Sequence, residues 1–168
     1  MSRLLVPIGV HPLLRELRGE PAGAAMGAGA PRATLEESMA MESKGKAFRQ
    51  LLRDEPYLFT GGIYSPLDAQ IAESAGMKSI YLSGYSVAMI NGWPDMGLLT
   101  MSEVAKTASM VASAVEVPII ADADDGYGNA LSTMRTVQEF VKTGVAGIHL
   151  EDQRFPKRCG HIDRKSVV

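Results

Sequence analysis

Residues 118–151, PIIADADDGYGNALSTMRTVQEFVKTGVAGIHLE, decide the fold. The apolar runs Pro118–Ala121 and Val145–Leu150 predict two strands. Apolar residues at helical spacing lie between these runs, namely Leu131, Met134, Val137 and Val141. Gly144 is a typical stop for the predicted helix. Because parallel strands need a crossover connection of about this length, the stretch predicts a strand–helix–strand unit.

The same alternation extends upstream. We expect strands at Tyr57–Thr60, which ends in the pair Gly61-Gly62, and at Ser79–Leu82. Helices should begin at about Pro66 and near Ser102, whose side chain is the expected N-cap, and a long loop that contains Asn91–Asp95 should precede the second of them. The expected apolar faces of these helices consist of Leu67, Ile71 and Ala75, and of Val104, Ala108, Val111 and Val115. Four successive units without hairpin signals predict an α/β fold with parallel strands. Periodicity alone leaves open a doubly wound sheet and a (β/α)8 barrel.

The first forty residues differ in composition from the rest. In Pro21–Ala33, eleven of the thirteen residues are Gly, Ala or Pro, which gives little apolar bulk to offset the entropy of ordering. Met41 opens a polar segment that is typical of a helix. We therefore predict a flexible extension over residues 1–40 and a folded α/β part over residues 41–168.

Composition excludes several classes of protein. The chain has 168 residues, of which 46% are hydrophobic, and a formal net charge of -2. It lacks the basic runs that bind nucleic acid, and its apolar stretches are far shorter than the roughly 20 residues that span a bilayer. A single cysteine, Cys159, cannot form an internal disulfide, which favours a reducing, cytoplasmic location.

Carboxylates follow the ends of the predicted strands. Asp122 and Asp124 lie two apart after one strand, and Glu151 follows the next. Carboxylate oxygens at one strand end suit Mg²⁺, which also leaves coordination positions for substrate. The alternative is that such residues only shape the glycine turn that follows, as we expect of Asp125. Glu151, together with Asp95 in an earlier loop, favours the metal site.

Cys159 lies in the polar segment Pro156–His161, PKRCGH. Lysine, arginine and histidine neighbours favour the thiolate, and this predicts an acid, base or nucleophile. Most lone cysteines are instead buried and inert, but these neighbours are too polar for a core position. Zinc is disfavoured because no second Cys/His pair is present. His149, inside an apolar run, is expected to be a core histidine.

Five motifs in this order and spacing resemble the isocitrate lyase/phosphoenolpyruvate mutase superfamily. They are YLSGYSVA (residues 81–88), WPDMGLLT (93–100), ADADDGYGN (121–129), HLEDQ (149–153) and PKRCGH (156–161). The resemblance covers about residues 46–168. The KRCGH form is most similar to the lyase members, since the members that process phosphonates generally lack the cysteine.

The resemblance implies a (β/α)8 barrel and a magnesium-dependent lyase, with Mn²⁺ as an alternative cation. The implied reaction is retro-aldol cleavage of isocitrate, or of a related 2-hydroxy di- or tricarboxylate, to glyoxylate or pyruvate and a succinate-like product. The implied metal ligands, direct or through water, are Asp122, Asp124, Asp95 and Glu151. Cys159 is the implied acid that protonates the carbanion-like product. The resemblance also implies a homo-oligomer.

The resemblance further implies a set of substrate-binding residues: Ser83, Gly84, Tyr85, Lys157, Arg158, Gly160 and His161. The first three would bind the glyoxylate-like half of the substrate. Gly160 and His161 would contact the carboxylate of the other product, while Lys157 and Arg158 would hold the loop closed.

In the family, four further strands and a helical region follow the cysteine loop. This sequence holds none of them, so the resemblance implies a C-terminally truncated, first-half barrel over residues 41–168, and we expect weak or no activity of its own. Oxaloacetate decarboxylation and dimethylmalate cleavage are alternative chemistries within the family. A non-catalytic half-barrel that associates with another chain is the alternative of a different class, because a half-barrel would expose strand edges.

Overall fold

A single mixed sheet organises the computed structural model of the chain, which describes residues 3–7 and 35–159. The strands found in these residues are β1 (Arg3–Pro7), β2 (Gly61–Ile63), β3 (Ile80–Leu82), β4 (Ile119–Asp122) and β5 (Gly147–Glu151). Their order across the sheet is β1-β5-β4-β3-β2. Strands β2 to β5 pair in parallel, whereas β1 runs antiparallel to β5.

Helices connect the parallel strands, as the alternation of patterns predicts. The helices of the described part are α1 (Leu35–Asp54), α2 (Pro66–Ser74), α3 (Gly84–Ile90), α4 (Met101–Ala114) and α5 (Ala130–Lys142). The predicted α/β class with parallel strands is therefore confirmed. None of these helices is both long and apolar enough to cross a membrane.

The main core lies between the sheet and the helices α2 to α5. Ile80, Leu82, Ile119 and Ile148 contribute from the strands and are almost fully buried. The predicted face of α4 is confirmed, because Val104, Ala108, Val111 and Val115 are all buried in this cluster. A smaller cluster on the other side of the sheet joins Phe48 of α1 to β4.

The first predicted strand is displaced along the chain. Tyr57 and Phe59, which we placed in it, are 82% and 72% exposed, and the strand is instead Gly61–Ile63. A Cβ on Gly61 would lie only 2.7 Å from Cε of Met77, so glycine permits a close approach here. The glycine pair, which we interpreted as the end of a strand, begins it.

Two helices bury a different face from the predicted one. In α2, Leu67 and Ile71 are 64% and 60% exposed, whereas Ala69 and Ala72 are buried. The alanines belong to the main core, and α2 packs against α4. In α5, Leu131 and Met134 of the predicted stripe are exposed, whereas Val137 and Val141 are partly buried and pack against the core. The fully buried residues of this helix, Thr136 and Phe140, lie outside the stripe.

The N-terminal part contains structure that we did not predict. Strand β1 pairs over five residues with β5, from Arg3 opposite Glu151 to Pro7 opposite Gly147. Helix α1 begins at Leu35, upstream of Met41. The rest of the predicted extension, including its Gly/Ala/Pro-rich stretch, lies outside the described residues, so the division of the chain at residue 40 stays a prediction.

Candidate active site

Four carboxylates gather at the carboxyl edge of the parallel strands. Asp122 is the last residue of β4, Glu151 is the last of β5, and Asp124 follows β4 by two positions. Asp95 enters from the loop between α3 and α4. Asp95 and Asp122 are only 5% and 6% exposed. Parallel strands end at one edge, and this explains why residues distant in sequence lie together.

Asp122 is held by hydrogen bonds to both of its carboxylate oxygens. The Tyr81 hydroxyl donates to Oδ2 at 3.0 Å, and the backbone N–H of Asp124 donates to Oδ1 at 3.0 Å. A Cβ at Gly84 would lie 2.9 Å from Oδ2 of Asp122, so a larger residue would push against this carboxylate. The close approach gives Gly84 a steric role in shaping the site.

The turn after β4 sets the direction of Asp124. Asp124 has a φ of 45° and Gly126 a φ of 90°, both in the left-handed region that favours glycine. Asp125 accepts a hydrogen bond at 2.9 Å from the N–H of Tyr127, so this residue shapes the turn, as expected. The Thr136 hydroxyl donates to the carbonyl of Gly126 at 2.9 Å and ties the turn to α5.

Lys157 lies inside the carboxylate cluster. Its Nζ is 2.9 Å from Oδ1 of Asp95 and 3.9 Å from Oε2 of Glu151, and it donates a short hydrogen bond to Oδ1 of Asp124. The Lys157 side chain is only 6% exposed. The resemblance implied that Lys157 holds the loop closed near substrate, and the contacts in the structure are with the expected metal ligands.

Burial and charge shift two pKa values in this cluster. Burial raises the pKa of Asp124 to about 6, although the Lys157 ammonium opposes the rise. Burial by itself lowers the pKa of Lys157, but the charges of Asp124 and Asp122 outweigh it and bring the pKa above its ordinary value. Lys157 therefore remains a cation throughout the physiological range.

The donor set has the chemistry that a hard divalent cation requires. Every candidate ligand is a carboxylate, and oxygen donors are what Mg²⁺ prefers. The cluster already surrounds one cation, the Lys157 ammonium, which shows that it favours positive charge. Among residues 3–7 and 35–159, no three His, Cys, Asp or Glu side chains are arranged to hold a metal together. The metal site therefore remains a prediction that fits the donor chemistry.

Ser83, Gly84 and Tyr85 form the start of α3, a seven-residue helix in a region we interpreted as a loop. The Ser83 hydroxyl oxygen caps this helix by accepting from the N–H of Ser86 at 3.3 Å. Gly84 is next to Asp122, and Tyr85 is 38% exposed. These residues directly follow β3 and thus lie at the same edge of the sheet as the carboxylates.

The cysteine segment packs back onto this edge. Cys159 is 8% exposed, although its sequence neighbours led us to expect a more open position. Arg158 is exposed, and its backbone N–H donates to Oε1 of Gln153 at 3.1 Å. Gly160 and His161 lie outside the described residues, so their predicted roles stay predictions.

Tyr81 is the site residue that the sequence analysis did not single out. It lies within β3, where its aromatic ring is unremarkable in a strand, but its hydroxyl reaches Asp122. Its ring also contacts that of His149, with centroids 5.1 Å apart. The sequence signal for this role is the hydroxyl of Tyr81 between two apolar residues, Ile80 and Leu82.

Comparison with known proteins identifies relatives over most of the chain. The family model described as phosphoenolpyruvate phosphomutase matches residues 48–166. Isocitrate lyase of Haloferax volcanii is 42% identical over 126 residues, which make up 74% of this chain and 36% of that protein.

Solved structures agree with this match. Phosphoenolpyruvate phosphomutase of Streptomyces platensis subsp. rosaceus has a TM-score of 0.68 and 39% identity, over 71% of this chain and 42% of that one. Phosphonopyruvate hydrolase in complex with oxalate and Mg²⁺ has a TM-score of 0.64 and 36% identity, over 68% and 41%.

The chain spans less than half the length of these relatives. The likeness confirms the predicted fold, since the described α/β part corresponds to a portion of a (β/α)8 barrel. The family model covers most of the chain, and the sequence motifs and strand-edge carboxylates fall within the match. The chain belongs to the phosphoenolpyruvate mutase/isocitrate lyase superfamily.

Proposed function

We propose that this chain carries the metal and cysteine part of a magnesium-dependent carbon–carbon lyase of the isocitrate lyase type. The observation that supports this most is the contact of three of the four clustered carboxylates, Asp95, Asp124 and Glu151, with Lys157 in the segment that contains Cys159. The full activity belongs to a protein of which the chain matches a part, because its relatives are more than twice as long as the matched region.

In this proposal, Asp122 and Asp124 hold the divalent cation, directly or through water, and Asp95 and Glu151 support its water shell. The cation supplies a Lewis acid for the negative charge that develops on substrate oxygens when a carbon–carbon bond breaks. The Tyr81 hydroxyl and the Asp124 N–H keep the Asp122 carboxylate in one orientation, which reduces the reorganisation needed on binding.

The substrate side of the proposal uses the start of α3 and the cysteine segment. Ser83, Gly84 and Tyr85 bind the glyoxylate-like half of a di- or tricarboxylate. Cys159, whose side chain is buried, donates a proton to the carbanion-like carbon of the other half. Gly160 and His161 contact the carboxylate of that product, and Lys157 and Arg158 hold the loop closed.

Cys159 also favours lyase chemistry over other reactions of the superfamily. The relatives of this chain include a phosphonopyruvate hydrolase and a phosphoenolpyruvate phosphomutase as well as an isocitrate lyase. A proton donor is needed after carbon–carbon cleavage, and the KRCGH segment supplies one. We further propose a cytoplasmic location, in keeping with the single thiol, and self-association of the chain.

A coupled assay tests the proposal. Purified chain is incubated with Mg²⁺ and isocitrate, glyoxylate is trapped as its phenylhydrazone, and Cys159→Ser is measured beside the wild type. We expect glyoxylate release that depends on the cysteine, at a low rate. Ser113→Ala, an exposed substitution in α4, is the control for handling and purity.

Thermal unfolding tests the metal part separately from turnover. Mg²⁺ should raise the Tm of the wild type and of Cys159→Ser, but not that of Asp122→Ala, because binding to the folded state alone stabilises it. An equal Mg²⁺-dependent shift in Asp122→Ala would contradict the assigned metal site. Glyoxylate release that persists in Cys159→Ser would contradict the acid role.

A further inference from the structure

Large apolar side chains are exposed together where helix α3 ends and the loop to α4 begins. This surface, the 89–98 surface, consists of Met89, Ile90, Trp93, Met96 and Leu98. Each of these side chains is between 45% and 54% exposed. Single exposed apolar residues are ordinary, but neighbouring ones that cover several hundred Å² mark a binding surface.

The backbone holds these residues close to one another. After α3, the N–H of Gly92 donates to the carbonyl of Met89 at 3.0 Å, and the N–H of Trp93 donates to the carbonyl of Ala88 at 3.0 Å. The chain therefore turns back on the end of α3. Asp95, in the middle of the loop, is anchored inside the carboxylate cluster and is 5% exposed. The surface is thus formed in advance, which lowers the entropy cost of binding.

The 89–98 surface lacks the charges that keep most protein surfaces hydrated. Between Lys78 and Glu103, the only charged residue is Asp95, and Asp95 is buried. The cores of protein–protein interfaces are likewise depleted of charge and enriched in tryptophan and methionine. The composition of the 89–98 surface is therefore that of an interface core.

Other exposed apolar residues have charged neighbours. Leu67 of α2, which is 64% exposed, is followed directly by Asp68. Tyr57, which is 82% exposed, lies in the same surface recess as the ion pair of Lys78 with Glu55. An interface at either place would have to remove these charges from water, which is costly. The 89–98 surface carries no such cost.

The area of the 89–98 surface is sufficient for a dimer. Five large side chains of about 200 Å² each, half exposed, present about 500 Å² of apolar surface. Since homodimer interfaces are about 65% apolar, this area corresponds to about 800 Å² of interface per copy. A specific and stable interface buries about 800 Å² of each partner.

We propose that the 89–98 surface is where two copies of this chain pair about a twofold axis. Such a contact places the same surface of both copies face to face, and an uncharged apolar surface is complementary to itself. This inference rests on the self-association in the proposed function and names the surface that carries it. Pairing there also covers the loop that holds Asp95 in the carboxylate cluster.

Sedimentation velocity over a range of protein concentrations measures the pairing. The wild type should form a dimer, and Trp93→Lys, which places a charge within the surface, should raise the Kd of the dimer at least about tenfold. Leu67→Lys and Leu131→Lys are the matched controls. They add the same charge at residues of other helices that are 64% and 75% exposed, and their Kd should equal that of the wild type.

Amide hydrogen exchange supplies a second measurement, on the unaltered protein. Exchange in residues 89–98 should be slower at concentrations above the Kd than below it, because the interface protects this loop from solvent. Exchange in α5, which lies outside the proposed interface, should be the same at both concentrations.

The outcomes separate this inference from the proposed function. A dimer that survives both Trp93→Lys and Leu98→Lys, or that is lost in either control, overturns the assigned surface but leaves self-association standing. A wild type that stays monomeric at every concentration overturns both, and leaves the metal and cysteine part of the proposal as it was. Should Trp93→Lys not fold, as judged by circular dichroism, Leu98→Lys and the exchange measurement decide the matter.

Discussion

Lys157 lies among three carboxylates, although its neighbours in the sequence are a proline and an arginine. The contact partners come from three separate parts of the chain, 95, 124 and 151. A lone basic residue in a loop is ordinarily solvated, because removing its charge from water is costly. Several negative charges at one strand edge offset that cost and draw the lysine inward.

Asp124 should make the stability of the metal-free protein depend on pH. Its pKa is raised to about 6 in the folded state, so the folded chain holds a proton that the unfolded chain releases above about pH 4. Its contribution is therefore fully present below about pH 4 and is lost as the pH rises through about 6. The loss is at most on the order of 3 kcal/mol.

Urea unfolding at pH 4 and pH 7, in buffer with a chelator, measures this contribution. Relative to the wild type, Asp124→Asn should show a smaller decrease in the free energy of unfolding between these values. Asp54→Asn, which removes an exposed carboxylate of α1, is the control for the loss of one negative charge. An Asp124→Asn protein with the same decrease as the wild type would contradict the raised pKa.

At the scale of elements, local signals determined helix α4 well and α3 poorly. Helix α4 runs over 14 residues, and its buried face follows the predicted spacing. Helix α3 has seven residues and lies between the strand-end serine and a long loop. A segment this short gives too few apolar repeats to be recognised, and its stability comes from packing of Val87 and Ala88 in the core.

The N-terminus of α4 gives a test at this scale. We expected Ser102 to cap the helix, but the cap is Thr100, whose hydroxyl accepts from the N–H of Glu103 while Glu103 accepts from the N–H of Thr100. Thr100→Ala removes this reciprocal pair and should lower the free energy of unfolding by about 1 kcal/mol. Ser102→Ala should leave it nearly unchanged. Urea unfolding of both variants decides between the two capping residues.

At the scale of the molecule, the sheet consists of four adjacent parallel strands, β2 to β5, and the antiparallel strand β1 at one edge. Strand β1 covers the edge of β5 that the next parallel strand of a (β/α)8 barrel would use. An uncovered edge presents unpaired N–H and C=O groups and invites association. The N-terminal residues therefore protect the strand that ends in Glu151.

Replacing Leu4–Val6 by Gly-Ser-Gly tests this protection without a change of chain length. Glycine and serine weaken a strand, so amide hydrogen exchange in Gly147–Glu151 should accelerate and larger species should appear on size exclusion. A variant with valine at positions 4 and 5 keeps strand propensity and is the control. Unchanged exchange in β5 of the Gly-Ser-Gly protein would show that β1 contributes little to this edge.

The sequence by itself determined the class of fold and most of the carboxylates. Apolar runs alternating with helical repeats indicate parallel strands, and polar residues directly after those runs must meet at one edge of a parallel sheet. Asp122, Asp124 and Glu151 follow from this rule alone. The order and spacing of the five sequence motifs also indicated the superfamily, because these motifs contain the same residues at the strand ends.

Only the tertiary structure decided which faces are buried and where the charges of the site pair. Periodicity gives the spacing of a helix face but not the side on which the sheet lies, so α2 buries alanines instead of Leu67 and Ile71. The pairing of β1 with β5 joins segments more than a hundred residues apart. Lys157 enters the carboxylate cluster because the long-range field of several buried charges acts through space, and local sequence carries no record of it.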